Sequence, residues 1–335
     1  EDVRRRLMRC GVLGTLVWDR IYSRDGRSVP VEEWGGISYA LAAASAACPA
    51  GARVVPLIRL GSDLSERAYQ FLRGLPHLEL ESGIAVVEEP NNRVELRYND
   101  LQRRCERLTG GVGPWTWTEL QPRVSDLDAL YINFISGFEL ELETAQALRA
   151  HFTGPIYADV HSLLLGVGPG GVRIPRPLES WREWLRCFDA VQLNEDELAT
   201  LAQAWGDPWL FAAEVVSDAP RLLLVTLGER GAAYVAVSDL DPDPRTWRRA
   251  RVLVPGMTAV GAGAVHTQHV PPDLVPRDGD PTGCGDVWGA SFFATLLAQR
   301  DLETAMRRAN SAAGRNVEHR GATGLHHHLQ GRIGT

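Results

Sequence analysis

Short runs rich in β-branched and aliphatic residues alternate with longer stretches of helical periodicity along most of this chain. A strand–helix–strand alternation builds parallel strands whose crossover helices cover both faces of one sheet. The sequence therefore predicts an α/β fold with a central, mostly parallel sheet. The predicted strands are Cys10–Trp18, Arg53–Leu60, Asp128–Ile135, Pro155–Val160, Ala190–Leu193 and Arg221–Leu227.

Apolar residues spaced at i, i+3, i+4 and i+7 fill the intervals between these strands and predict helices. At roughly 100–200 residues per domain the chain is long enough for two domains, but α/β folds of this size often remain one unit. We expect residues 1–335 to form a single domain. The predicted helices are Ile37–Ala47, Asp63–Arg73, Glu139–His151, Leu178–Phe188, Glu195–Ala204 and Leu302–Glu318.

Two stretches, Ile21–Trp34 and Ile84–Asp100, lie where a helix is expected but lack helical periodicity. The second alternates apolar and polar residues, which predicts a β-hairpin. We expect the two stretches to form a small accessory β-sheet, built from about residues 20–34 and 84–100, that acts as a lid over a ligand site. A decorative edge hairpin is the alternative interpretation.

The chain contains no lysine: all 35 basic residues are arginine, against 42 acidic residues and a formal charge of −7. This absence excludes enzymes that form a Schiff base through their own lysine, P-loop NTPases, and protein kinases with a β3 lysine. The acidic balance argues against a nucleic-acid partner, because phosphate-backbone binding needs a basic surface. Any anionic group must be held by backbone N–H groups, arginine or a metal.

The five cysteines form no CxxC pair. Together with the expected lack of a signal peptide, this favours a reducing, cytoplasmic environment. No run of about 18 apolar residues occurs, so we expect no membrane-spanning helix and no membrane partner.

The stretch from Asp280 to Asp286 reads Asp-Pro-Thr-Gly-Cys-Gly-Asp and precedes an apolar run. Its small residues permit a tight turn, and the apolar run predicts a buried helix. Unpaired N–H groups at a helix N-terminus, with the positive end of the helix dipole, form an anion site without a cationic side chain. We expect the N–H groups of Gly283, Cys284 and Gly285 to form such an anion hole.

Asp286 falls in the first turn of that helix, where the dipole favours an ionised carboxylate. A carboxylate beside an anion hole suits a general base, which takes a proton from a hydroxyl while the attacked phosphoryl group rests on the N–H groups. A capping aspartate beside an ordinary glycine turn would give the same residues, so the motif alone leaves both interpretations open.

The stretch Asp280–Asp286 resembles the D-T-x-G-A-G-D signature of the ribokinase family, also called the PfkB family of carbohydrate and nucleoside kinases. Further resemblances follow in the family's order and cover nearly the whole chain. They are the first strand Gly11–Asp19, the diglycine Gly35-Gly36, the N-x-x-E element Asn194–Glu197, the T-x-G-x-x-G loop Thr226–Gly231 and the small-residue turn Arg320–Ala322.

The resemblance implies a three-layer α/β/α, ribokinase-like (Rossmann-like) fold with a small β-sheet lid. The implied activity is ATP-dependent phosphorylation of a hydroxyl of a sugar or related small polyol, with ATP and Mg²⁺ as cofactors. A nucleoside (adenosine-like) kinase, or a non-catalytic member that senses a nucleotide or sugar, is the alternative. Activation by a monovalent cation and assembly into a homodimer stay open.

For the acceptor, the resemblance implies contacts from Asp19, Gly35 and Gly36. Asp19 ends an apolar strand, and ligands of such sheets bind outside the carboxyl ends of the strands. Its carboxylate can accept two hydroxyl hydrogen bonds, which suits a polyol or ribose. A surface-turn aspartate beside a simple glycine turn is the alternative.

For the metal, the resemblance implies Asn194 and Glu197, which lie three residues apart at a strand end and helix start. Mg²⁺ usually keeps several waters and binds through few protein groups, so we expect a water-mediated contact. An N-terminal capping box has the same sequence signature, and the two interpretations do not exclude each other.

For the nucleotide, the resemblance implies the loop residues Thr226, Gly228 and Gly231 together with Gly321. A plain hairpin turn would also explain the loop glycines. A cluster of arginines beside the lid offers contacts to a phosphate, or else is a solvated face. Its members are Arg97, Arg103, Arg104 and Arg107.

The sequence departs from the family pattern at three positions. Pro281 replaces the usual threonine and lacks an N–H group, and Cys284 replaces the usual alanine; we interpret Cys284 as a small filler rather than a reactive thiol. Ala40 stands where many sugar kinases of the family have an asparagine that helps hold substrate hydroxyls. Its presence argues against a ribose-like or fructose-phosphate-like binding mode.

Overall fold

The computed structural model describes residues 7–22, 29–98, 104–247, 264–274 and 279–331. Within these residues the strands, numbered along the chain, are β1 Met8–Leu13, β2 Leu16–Ile21, β3 Val31–Gly36, β4 Ala52–Gly61, β5 Ile84–Val87, β6 Arg93–Tyr98, β7 Arg104–Thr109, β8 Ala129–Asn133, β9 Ile156–Asp159, β10 Leu165–Val167, β11 Arg173–Pro175, β12 Ala190–Asn194, β13 Leu222–Thr226, β14 Ala232–Val237 and β15 Val265–Val270.

The central sheet has the strand order β15-β14-β13-β12-β9-β8-β1-β4-β5. Every pairing from β13 to β5 is parallel, and the two pairings at the β14–β15 edge are antiparallel. The prediction of a mostly parallel sheet is confirmed. The carboxyl ends of the parallel strands therefore meet at one edge, where a ligand site is expected.

A smaller sheet has the order β3-β2-β6-β7, in which only β2 and β6 are parallel. The hairpin predicted over residues 84–100 is wrong, because β5 belongs to the edge of the central sheet and β6 pairs with β7. Asn91 links the two sheets instead of turning between strands. Its side chain accepts from the Gly61 N–H at 3.0 Å and donates to the Leu16 carbonyl at 3.0 Å. Residues 23–28 and 99–100 of the two lid stretches lie outside the described residues.

The first predicted strand, Cys10–Trp18, is in fact two strands in different sheets. The chain leaves β1 at Gly14 and enters β2 at Leu16. A Cβ atom on Gly14 would lie 2.8 Å from the Asn133 backbone oxygen and 2.8 Å from the Ile37 side chain. Only glycine fits this crossing between the sheets, and a periodicity that runs through it hides the break.

The helices occupy the intervals predicted for them and several others. None of the helices in the described ranges is long and apolar enough to cross a membrane. Their bounds are α1 Ile37–Ala47, α2 Ser65–Arg73, α3 Trp117–Val124, α4 Leu142–His151, α5 Trp181–Arg186, α6 Glu195–Leu201, α7 Pro208–Asp218, α8 Cys284–Gln299, α9 Leu302–Val317 and α10 Leu325–Leu329.

Two clusters of buried apolar side chains cover the two faces of the central sheet. Tyr131 of β8 belongs to the cluster that includes α1, α8 and α9, and its neighbour Ile132 belongs to the cluster that includes α4 and α7. Successive residues of a strand point to opposite faces. The fold is thus a three-layer α/β/α arrangement with an added small sheet, as the resemblance implies.

Candidate active site

A cleft of about 430 Å³, here called the strand-end cleft, opens at the carboxyl ends of β9, β12 and β13. The N-terminal turns of α1, α6 and α8 reach the same cleft, and residues of β2, β6 and β7 in the small sheet also line it. The central sheet, three helix N-termini and the small sheet therefore converge on one opening.

The N-terminus of α8 carries unpaired backbone donors. Gly283 has φ 76° and no side-chain cap bond is present at this helix start. The Cys284 N–H donates to the Pro281 carbonyl at 3.1 Å, whereas the N–H groups of Gly283, Gly285 and Asp286 have no acceptor among the described residues. The predicted anion hole is therefore available at Gly283 and Gly285, with the Asp286 N–H beside them, and not at the Cys284 N–H.

Neighbouring contacts fix the turn that precedes α8. A Cβ atom on Gly283 would lie 2.4 Å from the ring of Tyr39, so no larger residue fits there. Asn316 donates to the Thr282 carbonyl at 2.8 Å, and the Asp280 side chain accepts from the Thr282 N–H at 2.9 Å. The turn is thus held before any ligand binds, as an anion hole requires.

Asp286 lines the strand-end cleft from the first turn of α8. Its Oδ1 accepts a hydrogen bond from Asn133 Nδ2 at 2.8 Å, and no described residue hydrogen-bonds to its Oδ2. Burial raises the pKa of Asp286 to about 6, although the Asn133 bond and the nearby His161 oppose that rise. A carboxylate with such a pKa is ionised at neutral pH and is still a useful proton acceptor.

His161 and Glu197 form an ion pair in the same cleft through His161 Nδ1 and Glu197 Oε1. Burial lowers the pKa of His161, but the hydrogen bond to Glu197 and the charges of Glu197, Asp159 and Asp286 outweigh it and raise that pKa to about 9. The His161 side chain is 54% exposed, so water weakens this shift without reversing it. The His161 imidazole therefore places a positive charge in the strand-end cleft of a chain that has no lysine.

Asp159, at the end of β9, lies behind this pair. Burial, followed by the charge of Glu197, raises its pKa to about 8. Gln192 Nε2 donates to its Oδ2 at 2.8 Å and to the Gly285 carbonyl at 3.0 Å, which connects β9 with the start of α8. Three carboxylates, those of Asp159, Glu197 and Asp286, thus line one cleft.

Mg²⁺ is predicted to bind through Asn194 and Glu197, which line this cleft. In the described residues no group of three His, Cys, Asp or Glu side chains is placed to hold a metal directly. Asn194 and Glu197 form a full capping box at α6, with Asn194 Oδ1 accepting from the Glu197 N–H at 2.9 Å and Glu197 accepting from the Asn194 N–H at 2.8 Å. The side-chain oxygens of Asn194 and Glu197 are of the type that a hydrated Mg²⁺ contacts through water.

Residues 170–328 match the sequence model described as "pfkB family carbohydrate kinase". The matched stretch includes the N-terminal turn of α8 with Asp286, Asn194, Glu197 and the loop after β13. The match supports membership of the PfkB family. A search of curated proteins finds no match.

Solved structures of the ribokinase family share the fold of this chain at low sequence identity. A pyrophosphate-dependent kinase of the ribokinase family, in a sulfate complex, is 18% identical with a TM-score of 0.69, covering 94% of this chain and 97% of its own. The Arabidopsis thaliana ribokinase complexed with ribose and ATP is 18% identical with a TM-score of 0.65, covering 96% and 97%. The Burkholderia thailandensis nucleoside kinase with inosine is 15% identical with a TM-score of 0.67, covering 94% and 93%.

Of the predicted acceptor residues, Asp19 and Gly36 line the strand-end cleft and Gly35 does not. Asp19 is 5% exposed on β2. A Cβ atom on Gly35 would lie 1.8 Å from Asp19 Oδ2, so Gly35 makes room for that carboxylate instead of facing the cleft. Gly36 has φ 59° at the start of α1, where a side chain would strain the backbone.

Of the predicted nucleotide residues, Thr226 and Gly228 line the cleft, and Gly231 and Gly321 do not. Gly231 has φ 88° and closes the turn by accepting from the Leu227 N–H at 2.8 Å. A Cβ atom on Gly321 would lie 1.7 Å from Glu33 Oε2, so this turn makes room for a side chain of the small sheet.

Cys284 lines the cleft, whereas Arg97 and Arg107 do not. Arg97 is 56% exposed, lies 3.6 Å from Glu95 and stacks 3.9 Å from the centre of the Tyr22 ring, and Arg107 is exposed. Arg103 and the Arg104 side chain lie outside the described residues. Burial raises the pKa of the Cys284 thiol, and its Sγ lies 3.5 Å from the Ala313 carbonyl, which agrees with a packing role.

Asn133, Asp159 and His161 lie near Asp286 in the structure and are not among the site residues predicted from the sequence. Asn133 and Asp159 end the observed strands β8 and β9, and His161 follows β9 closely. A polar residue near the carboxyl end of a parallel strand is the signal that could have identified each of them. No spacing within the sequence relates them to Asp286, because they come from different strands.

Proposed function

We propose that this PfkB-family kinase transfers a phosphoryl group from ATP to a hydroxyl of a sugar or related small polyol, with Asp286 as the general base. The observation that supports the proposal is the placement of Asp286 Oδ2 in the strand-end cleft, beside the unpaired N–H groups of Gly283 and Gly285. A proton acceptor and an anion hole on one helix turn are the two parts that phosphoryl transfer to an alcohol needs.

Asp286 receives the hydroxyl proton at Oδ2, since Oδ1 is occupied by Asn133. The hydrogen bond holds the carboxylate in one orientation and stabilises its ionised form. A base held in place loses little entropy at the moment of proton transfer, which raises the rate of the step.

The N–H groups at Gly283 and Gly285 stabilise the negative charge on the phosphoryl oxygens during transfer. The dipole of α8 adds to this effect because the helix points its positive end at the same place. His161 contributes a positive charge to the cleft, paired with Glu197. The arrangement handles a phosphate without lysine.

Asn194 and Glu197 would hold Mg²⁺ through water. When bound, the metal supplies neutralisation of the donor's phosphate charge. Thr226 and Gly228 would lie beside the donor, with Gly231 and Gly321 shaping the neighbouring turns.

Asp19 would bind the acceptor through its hydroxyls, because its carboxylate faces the cleft from the small sheet. Val17, Val94 and Leu96 of the same sheet add apolar walls. We include in the proposal that the small sheet acts as a lid, which would exclude water as a competing acceptor. Residues 1–335 would form a single kinase domain with this lid.

Two further functions are carried by specific observations. A nucleoside acceptor is favoured by the fold likeness to a nucleoside kinase complexed with inosine. Pyrophosphate as donor is favoured by the likeness to a pyrophosphate-dependent kinase of the ribokinase family. A non-catalytic sensor is the least favoured, because a sensor does not need a base with the environment of Asp286.

The test is a two-way panel of donors and acceptors. ATP and pyrophosphate, each with Mg²⁺, would be incubated with neutral sugars, polyols and nucleosides, and phosphorylated product measured by mass spectrometry. The proposal predicts product from ATP with a sugar or polyol. Product only with nucleosides or only with pyrophosphate selects one of the alternatives, and ligand binding without product across the panel supports the sensor.

A further inference from the structure

A second cleft, of about 280 Å³, lies among helices α1, α8, α9 and α10. We call it the helix cleft. It shares no lining residue with the strand-end cleft. Alanines of α1 and α9 form its apolar walls, and Ser291, Thr295, Arg308, Ser311 and Arg315 are its polar residues. It contains no aspartate, glutamate or histidine, so it lacks an acid or base and suits binding rather than catalysis.

Two buried hydroxyls open into the helix cleft without a partner. Ser291 and Thr295 lie one turn apart on α8, and each is only 4% exposed. No described residue hydrogen-bonds to either hydroxyl. Ser217 on α7, in contrast, donates to the Ala213 carbonyl at 2.9 Å, the usual solution for a helical serine. Neither hydroxyl oxygen is among the fully buried atoms that lack a partner, so both are open to the cleft and can donate to a ligand there.

Two arginines on α9 face the same cleft without a carboxylate partner among the described residues. Arg308 and Arg315 lie two turns apart, and both bond to neutral groups. With the Gln299 amide oxygen oriented toward Arg308, both terminal nitrogens of Arg308 lie 2.8 Å from that oxygen. Arg315 donates to the Leu329 carbonyl at 2.8 Å. The adjacent Arg307 does pair with Glu303, at 2.7 Å.

Neutral partners fix a guanidinium in place without cancelling its charge. The helix cleft is therefore a positive site on a protein whose formal charge is −7. Because the cleft contains no acidic side chain, the attraction for an anion is not offset locally. Guanidinium groups and hydroxyls together match the oxygens of a phosphate group, which accepts several hydrogen bonds in different directions.

We propose that the helix cleft binds a small phosphomonoester, with the phosphate between Arg308, Arg315 and the hydroxyls of Ser291 and Thr295. The alanine walls contact the organic part of the ligand. The volume is close to the lower end of the range for small-molecule sites, which limits the ligand to one of few heavy atoms. The site is separate from the transferase chemistry and does not depend on the function proposed above.

The experiment measures the binding of glycerol 3-phosphate and inorganic phosphate by titration calorimetry. The test protein is the Arg308→Gln/Arg315→Gln double variant. Glutamine removes the positive charges but is polar and has a high helix propensity, so α9 should be retained. The control is Arg300→Gln/Arg307→Gln, which removes the same charge from residues that pair with Asp243 and with Glu303 and Asp273 outside the cleft. Losing charge-assisted bonds should weaken glycerol 3-phosphate binding about tenfold or more, and the control should stay within about twofold of the parent protein.

A second measurement separates this site from the anion hole at Gly283 and Gly285. Crystals soaked in tungstate should show anomalous density between Arg308 and Arg315 in the parent protein and none there in the double variant. A Thr295→Val variant, equal in volume and without the hydroxyl, should also bind glycerol 3-phosphate more weakly. Equal binding by the parent and the double variant, no binding by the parent, or tungstate confined to the strand-end cleft would each overturn the proposal.

Discussion

Asn133 Nδ2 donates a 2.8 Å hydrogen bond to Asp286 Oδ1, which joins the carboxyl end of β8 to the first turn of α8. The Asn133 amide oxygen is buried and has no partner among the described residues. The only hydrogen bond that the Asn133 side chain makes with a described residue is therefore the one to the Asp286 carboxylate. This bond opposes the rise in the pKa of Asp286 that burial causes. A residue 153 positions away in sequence thus sets both the orientation and the protonation of the proposed base.

Replacing Asn133 with alanine should move the acidic limb of the pH–rate profile upward. The pKa of Asp286 is about 6 in the intact protein, so phosphoryl transfer should fall below about pH 6 as the base becomes protonated. Without the bond that pKa rises, by about one unit or more. Initial rates from pH 5 to 9 give the midpoint. Asn310→Ala is the control, because it removes a buried amide bonded to Trp288 and Val270 and should leave the midpoint in place.

Replacing His161 with glutamine should also shift the acidic limb upward and should lower kcat about tenfold. The charge of His161 lowers the pKa values of both Asp159 and Asp286, so its removal raises both. The measurement is kcat across the same pH range, with His151→Gln, an exposed histidine of α4, as the control. An unchanged midpoint together with unchanged kcat would show that His161 does not act on the base.

The Asp286→Asn variant should be more stable than the parent protein at pH 8. A carboxyl whose pKa is raised on folding contributes stability that is fully present below its unfolded pKa, near 4, and is lost as pH rises through about 6. The asparagine has no charge to bury, so the gain in free energy of unfolding should be of order 1–3 kcal/mol at pH 8. Urea denaturation at pH 4.5 and pH 8 measures it. A gain that fails to shrink at the lower pH would contradict the assigned burial.

Replacing Gly35 with alanine should damage acceptor binding and spare donor binding. The added methyl carbon would lie 1.8 Å from Asp19 Oδ2 and must displace that carboxylate. We expect kcat/KM for the acceptor to fall about 100-fold, in line with the cost of a misplaced positioning group, while the KM of the donor stays constant. Gly113→Ala is the matched control, because nothing lies within 4 Å of the added carbon. Equal loss for acceptor and donor would point to general unfolding instead.

The central sheet with its helices, and the part of the candidate site that lies on α8, can be predicted from the sequence. The alternation of strands and helices predicts the parallel sheet, and Asp280–Asp286 predicts the turn and helix start, because both depend on residues close together in the chain. The crossing at Gly14 and the placement of β5 at the sheet edge depend on contacts with Asn133, Ile37 and β4, which are distant in sequence. Local periodicity contains no record of such contacts.

The same reason explains which site residues could be predicted. Gly283, Gly285 and Asp286 form one motif, whereas Asn133 and His161 reach Asp286 only because β8 and β9 are adjacent and parallel. Gly35 also shows the limit of motif reasoning. Its sequence position suggests contact with the substrate, but the structure uses it to make room for Asp19. A motif shows that a position requires a certain residue type, such as glycine. The three-dimensional packing shows why that residue type is required.

The most direct test of the account is kcat for the Asp286→Asn variant, measured with the best donor and acceptor pair together with the donor's dissociation constant. General-base catalysis contributes about 10²–10⁴-fold. We predict a loss of about 1,000-fold in kcat, with donor affinity within about threefold of the parent protein because the backbone N–H groups of α8 are retained. A variant that keeps kcat within about tenfold of the parent, with the donor still bound, would contradict the assignment of Asp286 as the base.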